Sequence, residues 1–433
     1  MSSSQAVFKI LPTTQQYDWG KTGKNSKVAQ FASASQIPGF KIDEGSPYAE
    51  LWMGTHPKSP SHVRSSNQVL SEHLAQHSEL IGTPIIEKFD AANGNLPFLF
   101  KVLSIEKVLS IQTHPDKKTA EALHAQFPDI YKDPNHKPEM ALAITPFQAL
   151  CGFRPLPEIA AYLNSTPELK SLLPPPIVDE FLKISNSTTP AGPEEKAALK
   201  NLFASLMMAD ETAIKTKSGA LVARYKSGEA YHGEDPDVVK LVLTLDKQFP
   251  GDIGIFCAYV LNYVHLRPGE AIFLGAGEPH AYVSGECIEC MANSDNVIRA
   301  GFTPKLRDIP NLVSGLTYNA TPPSNHVVNT ERFRNASSAS TLYDPPIPEF
   351  SVVRVKLSSE GDKKKDSEIH PPLGGPSIVI VTEGHGKVRW NSDADTLDIG
   401  LGDVFFIGAA TQVEFISEGD SDFVLYRAFV EAV

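Results

Sequence analysis

From Leu96 to Ile105, and again from Val108 to His114, apolar and polar side chains alternate closely enough to predict β-strands. The two-residue repeat of a strand puts Val108, Ser110, Gln112 and His114 on one face and Leu109, Ile111 and Thr113 on the other. A helix is predicted from about Val69 to Leu80. The rhythm changes between Arg154 and Asp246. Leu199, Leu202, Phe203 and Leu206 recur at helical spacing, as do Val238, Leu241, Val242 and Leu245. Asp235-Pro236 offers an N-cap followed by a first-turn proline, while Leu172-Leu-Pro-Pro-Pro and Thr188-Thr-Pro-Ala-Gly-Pro break one helix from the next. Strands return near Ile253, with short runs at Tyr259 to Leu266, Ala271 to Leu274 and Val297 to Ala300. From about Phe350 to Val433 the pattern is again all β.

A mainly β protein with a helical insertion follows, divided as 1–153 plus 250–325, 154–249, and 326–433. The second β region echoes the first. Ser377-Ile-Val-Ile-Val-Thr-Glu-Gly-His-Gly and Leu401-Gly-Asp-Val-Phe-Phe-Ile resemble the turn-and-strand unit Arg267-Pro-Gly-Glu-Ala-Ile-Phe-Leu. This predicts a degenerate internal repeat of a double-sheet roll. Where the first copy ends in Gly277-Glu-Pro-His280, the second ends in Gly408-Ala-Ala-Thr-Gln, so the later roll is expected to be structural. Gly361-Asp-Lys-Lys-Lys-Asp366 is expected to be a solvated hairpin tip.

Composition narrows the classes. With 433 residues, 41% hydrophobic and 21% charged, the chain has the make-up of an ordinary globular protein of two or three domains. No apolar run approaches the ~20 residues that span a bilayer, and Met1-Ser-Ser-Ser-Gln-Ala lacks the features of a signal peptide. Four cysteines in such a length do not make a disulfide framework, so a cytoplasmic protein is expected. A net charge of −12 argues against nucleic acid or an anionic membrane as partner. An anionic small molecule would need a local cluster of positive groups.

Gln112, His114, Glu139 and His280 supply the chemistry. Two imidazoles, one carboxylate and one amide oxygen suit a borderline metal and leave room for a water or a substrate oxygen, as in a catalytic zinc site. Glu139 closes Asn135-His136-Lys137-Pro138-Glu139, a polar segment fixed by its proline. The run from His280 to Lys305 holds Glu286, Glu289 and Asp295, then Arg299 and Lys305. A guanidinium fork and an ammonium suit a phosphate dianion, and Arg299 lies in an apolar strand where an unpaired charge is costly. Three motifs are set aside. Cys287-Ile-Glu-Cys290 has no second pair, and in a strand its cysteines face opposite sides. His73 and His77 share a helix face without a third ligand. Gly20-Lys-Thr-Gly-Lys lacks the phosphate-loop spacing and the helix that should follow it.

The segment Tyr131-x-Asp-x-Asn-His-Lys-Pro-Glu139 resembles the signature of the type I mannose-6-phosphate isomerases, a family of the cupin superfamily. The resemblance continues through Tyr17-Asp-Trp-Gly20, Glu50-Leu-Trp-Met-Gly-Thr-His56, Gln112-Thr-His-Pro115, Gly277-Glu-Pro-His280, Ser294-Asp-Asn-Val-Ile-Arg-Ala-Gly301 and Thr303-Pro-Lys305. It implies a cupin-type catalytic domain, a helical domain and a second cupin-like domain. It implies one zinc ion on Gln112, His114, Glu139 and His280, with Arg299 as the active-site arginine. The implied reaction interconverts mannose 6-phosphate and fructose 6-phosphate, feeding GDP-mannose and glycan synthesis. Moving a proton between C1 and C2 through a cis-enediol needs a charge stabiliser and a proton shuttle. Glu289 and Lys137 are the expected shuttle residues, with His136 and Asp295 behind them, and Ser110 and Lys305 are expected at the phosphate. A monomer acting on a small sugar phosphate is expected. Two other classes stay open: a metal-dependent cupin oxygenase, against which Gln112 argues, and a non-catalytic sugar-phosphate binder, against which Arg299 and the full ligand set argue.

Overall fold

A computed structural model of the chain describes residues 5–228, 234–359, 366–391 and 394–432. Of the expected hairpin tip only Asp366 falls among them, and the first four residues of the N-terminal segment lie outside. The periodicities translate into two antiparallel β-rolls with a helical domain inserted in the first. The helix predicted over 69–80 appears as Leu70–Gln76 followed by a single turn at Ser78–Leu80. The strand expected over Val108 to His114 shortens to Ile111–Thr113, because the N–H of Leu109 is taken by the Tyr282 carbonyl and that of Val108 by the Gln248 side chain.

The first roll is organised around the long strand His280–Ala292. Its first half pairs with Phe147–Phe153 and, at His280, with Gln112 of Ile111–Thr113. Its second half pairs with Phe98–Ile105 on one side and Glu139–Ala143 on the other. One strand thus passes from one sheet of the roll into the other. The change occurs at an irregularity between Tyr282 and Ser284, next to Gly285 at φ +108°. Such a bulge shifts side-chain parity. Tyr282 and Cys287, an odd number of residues apart, therefore pack in the same apolar cluster. Cys290, three residues after Cys287, lies in a different core, so the two thiols face opposite sides as predicted.

The helical insertion runs through Leu156–Ser165, Pro175–Ile184, Pro193–Met207, Glu211–Ser227 and Pro236–Gln248. Asp210 and Asp235 cap the last two, each accepting a backbone N–H of the first turn. The predicted apolar faces, Leu199 to Leu206 and Val238 to Leu245, form its core. That core also takes in Ile111, Ala281, Ile298 and Ala300. These alternate with Gln112, His280 and Arg299, so the helices clamp the back of the strands whose other face carries the site.

In the C-terminal roll an eight-stranded sheet faces a four-stranded one. The chain's first strand, Val7–Leu11, joins that larger sheet, pairing with Val404–Ile407. Phe8, Phe100 and Ile288 share one core with Ile380, Phe406 and Tyr426, so the two rolls are packed against each other.

Candidate metal centre and anion cavity

Three neighbouring strands set Arg299, Gln112 and His280 on one line of register. Gln112 is the Cα partner of His280 on one side and of Arg299 on the other. Residues directly opposite in antiparallel strands share a face. Glu139 enters from the adjoining sheet, where it sits opposite Met291 and Leu274. His114, Glu139 and His280 are buried, and their ligand-type atoms lie within 4.8 Å of one another.

Each imidazole is oriented from behind. His114 Nδ1 lies 2.6 Å from the Asn296 carbonyl and His280 Nδ1 lies 2.9 Å from the Glu278 carbonyl. A carbonyl can only accept, so both Nδ1 atoms carry the proton and both Nε2 atoms present lone pairs. His114 Nε2 stands 3.4 Å from Glu139 Oε1, and His280 Nε2 stands 3.3 Å from Glu139 Oε2. Both Nε2 atoms and Glu139 Oε2 are buried without a hydrogen-bond partner. Lone pairs and an anion facing each other in the dark interior cost free energy unless a cation lies between them. Burial depresses the His114 pKa to about 4, which keeps the ring neutral. Burial alone would raise Glu139, but Lys137 at 2.9 Å and the imidazoles outweigh it and hold the carboxyl well below its ordinary value. Neutral imidazole and ionised carboxylate are the ligating forms, so the donor set fits a divalent metal. Gln112 lines the cavity above this cluster, and its amide makes no hydrogen bond among the described residues.

The cavity has a volume of about 390 Å³. Its wall includes Ser110, Gln112, Glu139 and the cations Lys101, Lys107, Lys137, Arg299 and Lys305. Lys101 is matched by Glu289 at 3.0 Å and Glu50 at 3.4 Å, and Lys137 by Glu139. Lys107, Arg299 and Lys305 form no ion pair among the described residues. On a chain of net charge −12, this is the local positive cluster an anion requires. Arg299 is half-buried; its charge faces the cavity rather than an apolar core.

Glu289 is a buried carboxyl of the wall. Burial raises its pKa, Lys101 lowers it, and Glu139 and Glu50 raise it again. Burial disfavours the Lys101 ammonium as well, but the surrounding carboxylates, Glu289 first, more than restore it, so the lysine stays charged. Trp52 supports the group, donating its indole N–H to Glu50 and lying 5.1 Å beneath the Lys101 ammonium.

Two expected shuttle residues are not brought to this wall. His136 turns the other way and pairs with Glu349 of the C-terminal region. Asp295 is bound by Lys58 at 2.8 Å and faces His56 at 3.6 Å. Contact with His56 and then Lys58 outweighs its burial and holds it far below the ordinary carboxylate range. Sequence reasoning missed Lys101, Glu50 and Lys107. Lys101 could have been found only by knowing that its strand sits opposite Glu289.

The motifs set aside have structural roles. His73 stacks edge-on against Phe8, and His77 pairs with Glu79. A helix does follow Gly20-Lys-Thr-Gly-Lys, at Lys27–Ala34, contrary to expectation. Its N-terminus is already satisfied: Ser26 accepts the Ala29 N–H, Ser104 that of Val28, and Glu286 that of Lys27 at 2.8 Å. A phosphate has no donors left to bind there.

Comparison with known proteins agrees with this picture along the whole chain. Models of the type I phosphomannose isomerase family match at residues 7–156 for the catalytic domain, 178–261 for the helical insertion domain and 340–393 for the C-terminal domain. The mannose-6-phosphate isomerase of Cryptococcus neoformans is 46% identical over 99% of this chain and 100% of its own. That of Saccharomyces cerevisiae is 46% identical over 99% of each chain. A zinc-bound crystal structure of mannose 6-phosphate isomerase superimposes with a TM-score of 0.80 at 29% identity, covering 99% of this chain and 100% of that one. The apo form from Salmonella typhimurium gives 0.79 over 99% and 100%. Identity of this order, carried from end to end over the same three domains, means that the chain is an isomerase and belongs to the type I phosphomannose isomerase family.

Proposed function

We propose that the protein interconverts D-mannose 6-phosphate and D-fructose 6-phosphate, with one zinc ion held by Gln112, His114, Glu139 and His280. The observation that carries this reading is the meeting of two unpartnered imidazole nitrogens and a carboxylate oxygen beneath a cavity walled by unpaired cations. The names of the relatives and the zinc in the solved structures support it. Zinc, when bound, supplies a fixed positive charge that stabilises negative charge developing on the sugar oxygens.

The chain's own residues do the rest. Lys305 and Ser110 hold the phosphate, and Lys107 adds to the field that draws it in. Arg299, on the same register line as Gln112, meets the developing charge of a cis-enediol. Glu289 takes the proton from C2 of the aldose and returns it to C1, the O2 hydroxyl proton passes to O1 as the ketone forms, and Lys101 keeps that carboxylate anchored. Lys137 holds Glu139 in its ionised form. We infer a cytoplasmic monomer that supplies mannose 6-phosphate to GDP-mannose and glycan synthesis. Among the described residues no helix is long and apolar enough to cross a membrane.

The test is interconversion of the two sugar phosphates by purified protein before chelation, after it, and with zinc restored. Activity should vanish with the metal and return with zinc. A folded, zinc-loaded protein that binds the sugar phosphate without turning it over would replace the isomerase reading with that of a binder. Iron as the bound metal would point to an oxygenase.

A further inference from the structure

Asp133 does not line the cavity, yet its carboxylate joins two segments on which the metal centre depends. Its Oδ1 accepts the Asn135 N–H at 2.9 Å and the Ser294 hydroxyl at 2.9 Å. Its Oδ2 accepts the Asp295 N–H at 2.7 Å. No cation pairs with it among the described residues. Its charge is therefore met by N–H and O–H donors alone, a use of a carboxylate that fixes geometry more than it adds Coulomb energy.

The return contacts come from Asn296, which is 2% exposed. Its side-chain amide donates to the Asp133 carbonyl at 2.6 Å and to the Asn135 carbonyl at 2.8 Å. Its own carbonyl receives His114 Nδ1–H at 2.6 Å. On the other segment, Asn135 leads in three residues to Pro138, whose carbonyl accepts the Ala292 N–H at 3.1 Å, and then to Glu139. One unbroken set of hydrogen bonds therefore runs from the ring of His114 to the loop that delivers Lys137 and Glu139.

We propose that Asp133 is a positioning residue: it sets the placement of His114 relative to Glu139 and so tunes the affinity of the metal centre. The inference rests on the zinc reading above. A carbonyl that orients a ligating imidazole, as Asn296 does for His114, is a general feature of metal sites, and losing such support weakens metal binding by roughly 10–100-fold. Asp133→Asn keeps the shape but turns one acceptor into a donor facing donors, which should loosen both segments at once.

The experiment is a zinc titration of metal-free protein against a competing chelator, comparing wild type, Asp133→Asn and Asp43→Asn. Asp43 makes the same kind of turn, to Gly45 N–H and the Ser46 hydroxyl, but only with its own neighbours. Asp133→Asn should weaken zinc by about 10–100-fold and alter the visible absorption of the cobalt-substituted protein. The melting temperature of its metal-free form should stay near wild type. Asp43→Asn should leave zinc affinity and the cobalt spectrum unchanged. Equal zinc affinity in Asp133→Asn and wild type would overturn the proposal, as would a loss shared by Asp43→Asn. If Asp133→Asn does not fold, Ser294→Ala and Ser294→Thr decide: the first should weaken zinc and the second, which keeps the hydroxyl, should restore it. A wild-type protein that binds no zinc would instead sink the metal reading and this proposal with it.

Discussion

At the scale of single residues, the cavity wall sets cations beside one buried carboxyl, Glu289, the proposed base. Lys101 sits among three carboxylates whose influence keeps it charged, while burial, then Glu139 and Glu50, raise Glu289 against the pull of Lys101. Glu289→Gln keeps the volume and removes the proton acceptor. It should lower kcat by about 10²–10⁴-fold with little change in KM, read from steady-state kinetics. Because Glu289 is raised above an ordinary carboxyl, the ionised base is lost as pH falls through a value higher than the ~4.3 of an exposed glutamate. The acid limb of kcat/KM should begin at that higher pH. Lys305 asks a different question. It is exposed, unpaired among the described residues and on the cavity rim. Lys305→Ala should raise KM about tenfold, near the ~1.5 kcal/mol of a weak charge-assisted hydrogen bond, and change kcat less. The effect should shrink as salt is added. A fall confined to kcat would place Lys305 at the chemistry instead of the phosphate.

At the scale of elements, the alternation already placed Ser110 and Gln112 on the face that now lines the cavity, although it fails before the strand begins: Val108 packs in one core with Ile111, and Leu109 lines the cavity. The helical faces at Leu199 to Leu206 and Val238 to Leu245 were equally legible, since each needed only its own local period. What could not be read was non-local. Tyr282 and Glu289 are seven residues apart and would face opposite sides of a regular strand. The bulge before Gly285 reverses the parity and lets residues on both sides of it serve one cavity. Nothing in the local pattern announces that bulge, because its cause is the turn of a strand from one sheet into another. His136 failed for the same reason: its partner Glu349 is more than two hundred positions away. Gly285 makes the seam testable. Its φ is +108°, and a Cβ there would lie 2.4 Å from the Pro146 carbonyl oxygen. Gly285→Ala should cost about 2 kcal/mol or more in urea unfolding, and should lower kcat/KM by displacing Glu289. Gly219, within the helix Glu211–Ser227, has nothing within 4 Å of its Cβ position. Gly219→Ala should leave kcat/KM alone and stabilise by up to about 1 kcal/mol.

At the scale of the whole molecule, the cores do not follow the domains. The helical insertion shares its core with Ile111, Ala281 and Ala300 of the first roll, and the first roll shares another with Ile380, Phe406 and Tyr426 of the second. The four cysteines sample this arrangement. Cys257 lies in the helical core, Cys151 and Cys287 inside the first roll, and Cys290 in the core between the rolls. All four are buried and unpaired. Burial pushes the Cys151 thiol up to about 12 and raises the other three as well. A raised pKa means less thiolate at any given pH. At pH 8 a thiol titrating near 12 is ionised in on the order of one molecule in ten thousand, against roughly a quarter for a free thiol. A thiol-specific reagent should therefore leave the native protein unmodified over an hour, although the sequence contains a C-x-x-C motif. With rising urea, shared cores require that opening one region expose another, so the four thiols should become reactive in a single transition. Mass spectrometry of the modified chain distinguishes the outcomes. If Cys257 were labelled at lower urea than the rest, the helical insertion would be an independently opening unit. If Cys290 came first, the two rolls would separate before either unfolds, and the common core between them would contribute little to holding the molecule together.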